Sequence, residues 1–212
     1  MSTVASIIRK WNKYGTPGRP VARGFLLQPL AAKLKHYTKF IFVRDPLVRL
    51  ISAYKNKFLE DNDAYYQVYG IRILKHFSNM SHPSKVNEAG KSRVYPSFQQ
   101  FLEFITDPDI LRTHRLDVHW RPQHQLCLPC TIKYDFVGHQ ETLQEDADLL
   151  LKMLNIDIAF PHSPSIPNNA DSVKVWFKSV PKATMRKLYK MYELDFKLFG
   201  YPQPPLDDLA AP

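Results

Sequence analysis

Arg44 and Ser52 are the pair of residues best suited to hold an anion. Arg44 carries a planar, permanently charged fork that matches phosphate geometry. Ser52 lies seven positions after Asp45. On a helix that starts there, this is about 700° of rotation, so its hydroxyl projects on nearly the same face as the turn bearing Arg44. Together they could grip one phosphate from two sides. The helix start at Arg44-Asp45-Pro46 is expected to add unpaired N–H groups and the positive end of the dipole. The plain alternative is a surface arginine and an idle serine on an ordinary βα unit. A second stretch with chemistry is DVHWRP, Asp117 to Pro122. His119 is the side chain most suited to take a proton near neutral pH, and Arg121 could contact an anionic donor or sugar. Asp117, Glu103 and Glu141 are alternative bases. The structural alternative is that His119 and Trp120 simply order the fold. Cys127 and Cys130 are the only cysteines. They exclude a four-cysteine zinc site, and a site completed by His119 and His124 would be cramped. No metal is expected.

The elements that must position these residues follow from apolar periodicity. Tyr37 to Val43 predicts a strand, because Phe40, Ile41, Phe42 and Val43 form a near-continuous apolar run suited to a parallel sheet covered on both faces. Asp45 then caps a helix and Pro46 fits its first turn, where a missing N–H costs nothing. Leu47, Leu50, Ile51, Tyr54 and Phe58 follow at helical spacing as its buried face. Arg44 thus leaves a strand at the carboxyl edge, where open α/β folds bind ligands. Further helices are predicted over Ser2 to Lys13, Leu27 to Lys35, Tyr65 to Phe77, Phe98 to Ile105 behind a Ser97 cap, and Val180 to Phe199. In the last, Leu188, Met191, Tyr192 and Phe196 read as buried. Its Lys182, Arg186, Lys187 and Lys190 read as a solvated face that could meet a polyanion. Thr142 to Glu145 reads as a capping box opening a helix with Leu143, Ala147, Leu150, Leu151 and Leu154 inward. Thr131 to Val137 predicts a second core strand ended by Gly138. Gly15 to Pro20 is a breaker, not a phosphate loop, since its prolines remove donors and no Gly-Lys-Ser/Thr follows. Ser78 to Tyr95 reads as a flexible surface loop carrying the glycosylation sequon at Asn79. Phe160 to Asp171 reads as a loop near an acceptor cleft.

A chain of 212 residues, 44% apolar and 13% aromatic, can bury a sizeable core as one domain. Its net charge of +9 favours an acidic partner. The sequence shows no zinc-finger spacing, no RNA-recognition aromatic motif and no helix-turn-helix, so nucleic acid is not the expected partner. No run of about 18 apolar residues predicts a membrane span, and Met1 to Lys10 lacks the apolar block of a signal peptide.

The stretch Arg44-Asp45-Pro46, Arg49-Leu50, Ser52-Ala53-Tyr54 and Asn56-Lys57-Phe58 resembles the 3′-phosphate-binding segment of Golgi carbohydrate sulfotransferases, in the branch with the HNK-1, chondroitin 4-O and dermatan 4-O enzymes. His119-Trp120, Leu126 to Cys130, Tyr134 to Gly138, Glu141-Thr142-Leu143 and Leu194-Asp195-Phe196 fit the same branch in order. The resemblance implies a P-loop-NTPase-like sulfotransferase fold of class α/β, a parallel sheet flanked by helices. It spans one domain over residues 1–212, with 1–34 a remnant or linker, 35–202 the matching core and 203–212 a tail. It implies 3′-phosphoadenosine 5′-phosphosulfate (PAPS) as sulfonate donor and no metal. Arg44, Asp45, Pro46, Leu47, Val48, Arg49, Leu50, Ile51 and Ser52 form the donor-binding segment, with Arg44 and Ser52 on the phosphate. The implied acceptor is an acidic glycan, chondroitin- or dermatan-like or an N-glycan, and the implied setting is the Golgi lumen. Members of this branch carry a Lys-x-Gly-Cys loop for the 5′-phosphosulfate and an N-terminal membrane anchor. Neither is found here, so the expectation is a chain lacking the 5′ loop. The alternative is a catalytically impaired isoform or fragment that binds nucleotide or polyanionic glycan without turnover. With the resemblance, the cysteines read as a local disulfide or two packed thiols, not a redox pair.

Overall fold

The computed structural model describes residues 33–60, 62–77, 94–162 and 170–209. The expected Ser2 to Lys13 helix, the sequon at Asn79 and most of the Ser78 to Tyr95 loop lie outside these residues. So do all but 33–35 of the Leu27 to Lys35 helix and most of the Phe160 to Asp171 loop. In chain order, a helical turn at 33–36 precedes β1 (Phe40–Val43) and α1 (Pro46–Tyr54). α1 runs on as a π-helical turn, Lys55–Leu59. Next come α2 (Asp63–Tyr65), a second π-helical turn (Tyr66–Gly70) and α3 (Ile71–Phe77). α4 (Phe98–Ile105), α5 (Pro108–Thr113), α6 (Gln123–Cys127), β2 (Phe136–His139), α7 (Leu143–Met153), α8 (Ala170–Phe177), α9 (Lys182–Leu198) and α10 (Leu206–Leu209) complete the order. The chain divides into two compact units, residues 1–42 with 131–165 and residues 43–130 with 166–212.

In the first unit β1 and β2 pair as a two-stranded parallel sheet among the described residues. Lys39 sets the register. Its carbonyl accepts the amides of Asp135 and Phe136 at 2.7 and 3.2 Å. Its own amide and ammonium donate to Asp135 Oδ2 at 2.8 and 2.7 Å. The strand predicted over Tyr37 to Val43 is shorter, and Phe40 is 48% exposed, so the described sheet is not covered on both faces. β2 starts at Phe136, not Thr131. Gly138 sits inside it because the Phe42 ring lies where a Cβ would be. The capping box at Thr142 is absent. Thr142 lacks the extended backbone of a cap, and its hydroxyl donates to Asp146 Oδ2 instead, at 2.7 Å. Asp146 also accepts the His139 amide at 2.7 Å, which ties the end of β2 to the first turn of α7. Leu143, Ala147 and Leu150 are buried on α7, whereas Leu151 and Leu154 are only half-buried.

The second unit is helical around an aromatic core. Leu47, Leu50, Ile51, Tyr54 and Phe58 are all buried, as the spacing predicts. They join Phe101, Leu102 and Ile105 of α4, Trp120, Phe177 of α8, and Leu188, Tyr192 and Phe196 of α9. Met191 is only half-buried. Burial of each such large side chain contributes about 1.5–3 kcal/mol. Ser97 and Gln100 form a reciprocal capping box, Ser97 Oγ accepting at 3.1 Å and Gln100 Oε1 at 2.8 Å. That box starts α4 where sequence placed it. The short helices α5, α6 and α8 were not foreseen. α6 in particular has no cap of its own and is started by a residue far along the chain.

Candidate active site

Arg44 and the motif helix belong to the second unit. Asp45 is the N-cap of α1, as predicted, and Pro46 occupies the first turn. Asp45 Oδ1 accepts the amides of Leu47 and Val48 at 2.8 and 2.9 Å. Its carbonyl takes the Arg49 amide at 2.9 Å. Proline has no N–H, so the donors of this helix start are already committed. This corrects the expectation of open N–H groups for an anion. A phosphate held here must be gripped by side chains. Within the segment, Leu47, Val48, Leu50 and Ile51 turn into the core, while Arg44 and Ser52 are half-buried. Arg44 is steadied through its backbone amide, which donates to Gln123 Oε1 of α6 at 3.2 Å.

Arg49 does something the sequence did not show. Its guanidinium donates to the carbonyl of Arg121 at 2.7 Å and to that of Val118 at 2.8 Å. The motif helix is thereby bolted to the turn that carries His119. Burial pulls the Arg49 pKa down, while the nearby Tyr192, Asp195 and Cys127 oppose that shift. Arg121 closes the same turn from within, its Nε donating to the Leu116 carbonyl at 3.0 Å.

On this turn His119 Nδ1 lies 2.6 Å from Asp117 Oδ1 and 3.0 Å from the Tyr65 hydroxyl. The His119 amide also donates to Asp117 Oδ1, at 2.9 Å. The side chain of His119 is 40% exposed and that of Asp117 only 16%. A carboxylate on Nδ1 holds the proton there and leaves the Nε2 lone pair to act as a base. Burial alone would raise the Asp117 pKa. The bonds from the His119 amide and ring and from Tyr69 outweigh it, and the net shift is downward. Tyr65 and Tyr69 are pushed up, first by burial and then by the Asp117 charge. Asp117, one of the alternative bases, is therefore the partner of His119. Glu103 accepts from Gln99 at 2.9 Å on the face of α4. Glu141 is an exposed residue of the first unit.

A second carboxylate–histidine pair was missed. Asp195 of α9 is 1% exposed. It accepts the amides of Gln123 and His124 at 2.6 and 2.8 Å, and its Oδ1 lies 2.6 Å from His124 Nδ1. It thus caps α6 from another helix and fixes Gln123 beneath Arg44. Its only signal in the sequence was the Leu194-Asp195-Phe196 landmark. Cys127 and Cys130 are not joined in a disulfide, and Cys130 is exposed, so the disulfide alternative is not formed. Burial raises the Cys127 pKa, the opposite of what a reactive thiolate needs. Among the described residues there is no cluster of three or more metal-ligating side chains, and no helix is long and apolar enough to cross a membrane.

A two-stranded parallel sheet together with these helices fits an α/β protein of the sulfotransferase type. Residues 22–202 match the sulfotransferase family, and the chain belongs to that family. It is 45% identical over 204 residues to carbohydrate sulfotransferase 12 of Xenopus laevis, covering 95% of this chain and 46% of that protein. It is 41% identical over 206 residues to carbohydrate sulfotransferase 12 of Mus musculus, covering 96% and 47%. Carbohydrate sulfotransferase 9 of Homo sapiens is 35% identical over 190 residues, covering 85% and 41%. The chain spans about half the length of the curated relatives it matches. No solved structure matches it.

Proposed function

We propose that this chain works in the transfer of a sulfonate group from PAPS to a hydroxyl of a glycosaminoglycan or glycoprotein glycan, in the Golgi lumen. One observation carries the reading: Arg49 of the motif helix grips both carbonyls of the turn that presents the Asp117–His119 dyad. Donor segment and base candidate are thus joined by two side-chain hydrogen bonds. Arg44 and Ser52 hold the donor's 3′-phosphate through side chains alone. His119 Nε2 takes the proton of the acceptor hydroxyl, while Asp117 orients the ring. The acceptor oxygen forms a bond to sulfur as the bond from sulfur to the 5′-phosphate oxygen breaks. The products are a sulfate ester, adenosine 3′,5′-bisphosphate and a proton on the imidazole. Asn79 is a glycan acceptor of the chain itself in this setting.

Sulfonate transfer from labelled PAPS to chondroitin or dermatan tests the proposal, together with retention on immobilised 3′,5′-bisphosphate. His119→Ala should lose on the order of 10²–10⁴ in rate with retention unchanged. Arg44→Ala should lose retention. Wild-type turnover in His119→Ala, or undiminished retention of Arg44→Ala, would sink the assignment. Retention without any turnover would select binding alone.

A further inference from the structure

A cleft of about 670 Å³ opens on the second unit, walled by α5, the segment leading to Arg121, α6 and α9. Arg115, Arg121, Lys187, Lys190 and His114 line it, and no carboxylate does. Two lysines elsewhere carry a carboxylate partner: Lys197 pairs with Glu193 and Lys39 with Asp135, both at 2.7 Å or less. Arg115, Lys187 and Lys190 make no hydrogen bond or salt bridge among the described residues. Asp107 is the acidic group whose charge faces Lys187. It spends its carboxylate on the amides of Asp109 and Ile110 and lies 3.5 Å from His76. Lys187 and Lys190 are three apart on α9, one above the other, so their like charges repel unless an anion lies between them. The sequence leaves this lysine face open to either solvent or a polyanion. The tertiary structure brings Arg115 and Arg121 up to it.

Chemistry selects the ligand. Several separated cations over an apolar floor of Leu111, Leu116 and Met191 suit a chain bearing repeated anionic groups on rings with C–H faces. No phenylalanine, tyrosine or tryptophan lines the cleft, so it lacks the large stacking platforms that single-stranded nucleic acid uses. Arg121, in the wall, follows His119 by two residues on the turn that Arg49 clamps. We infer that this cleft binds an acidic glycan, a sulfated or uronic-acid chain, and holds the sugars that flank the reacting one. That role for the flanking sugars rests on the sulfotransferase reading above, whereas binding of the glycan does not.

Binding of a fluorescent chondroitin sulfate hexasaccharide and of adenosine 3′,5′-bisphosphate should be measured for four proteins. These are the wild type, Arg44→Ala, the double variant Lys187→Ala/Lys190→Ala, and the control Lys174→Ala/Lys178→Ala. All four lysines are exposed, so the fold is kept. Loss of two ionic contacts should weaken the hexasaccharide by about fivefold or more in Lys187→Ala/Lys190→Ala, with the bisphosphate unaffected and the control unchanged. Equal loss in the control means diffuse charge attraction and overturns the inference. So does an undiminished hexasaccharide affinity, or a single-stranded oligonucleotide of similar charge competing as well as the sugar. Bisphosphate binding that survives Arg44→Ala would sink the donor assignment alone and leave the glycan result standing.

Discussion

Asp117 holds His119 by ring and amide at once, and under the proposed function the two bonds bear on both stability and chemistry. Its folded pKa is lowered, so the stabilisation it contributes is present above the unfolded value of about 4 and is lost as pH falls through the folded value. The urea midpoint should therefore drop between about pH 5 and pH 3, and Asp117→Asn should flatten that drop. The same variant removes the acceptor that fixes the imidazole tautomer. Turnover should fall on the order of 10²-fold or more, with 3′,5′-bisphosphate affinity unchanged. An unaltered acid limb together with unaltered turnover would refute the dyad. His119 stood out in the sequence as a candidate by its residue type alone. The pairing was not, because two positions along an irregular turn do not say where a carboxylate points.

At the level of the element, α1 is the best-read part of the chain. Its cap, its proline and its five buried positions all follow from spacing, because an amphipathic helix writes its period into sequence. The state of its first N–H groups was misread. Helix starts attract anions when their N–H groups are open, but Asp45 closes this one with its own carboxylate. Asp45→Ala should cost about 1 kcal/mol of stability, read by chemical denaturation. A change below about 0.3 kcal/mol would contradict the cap. The Thr142 box failed for the converse reason. The pattern was present, but Asp146 bonds the strand before it and draws the threonine hydroxyl away.

On the scale of the whole molecule, the larger unit is joined across long separations by a few polar groups set in an apolar core. Asp195 is the clearest. It reaches from α9 to start α6, which in turn carries Gln123 to the Arg44 amide. Asp195→Ala leaves the α6 amides and His124 without their buried partner and should cost about 3–5 kcal/mol. Equilibrium unfolding of the variant measures this, and a loss under about 1 kcal/mol would show α6 to be capped by something else. Tyr192, at the same depth, donates to the Trp120 carbonyl and secures the turn from below.

What this chain determined through sequence alone was local: the α1 face, the Ser97 cap, the long final helix and the ordered motifs of its family. Local periodicity and family spacing survive as letters in a row. Only the tertiary structure decided that Arg49 would clamp the His119 turn, that Asp195 would cap a helix some seventy residues away, and that Arg115 and Arg121 would meet the lysines of α9. Those contacts are made by single polar side chains across distant segments. They have no period, and chain folding alone sets their partners.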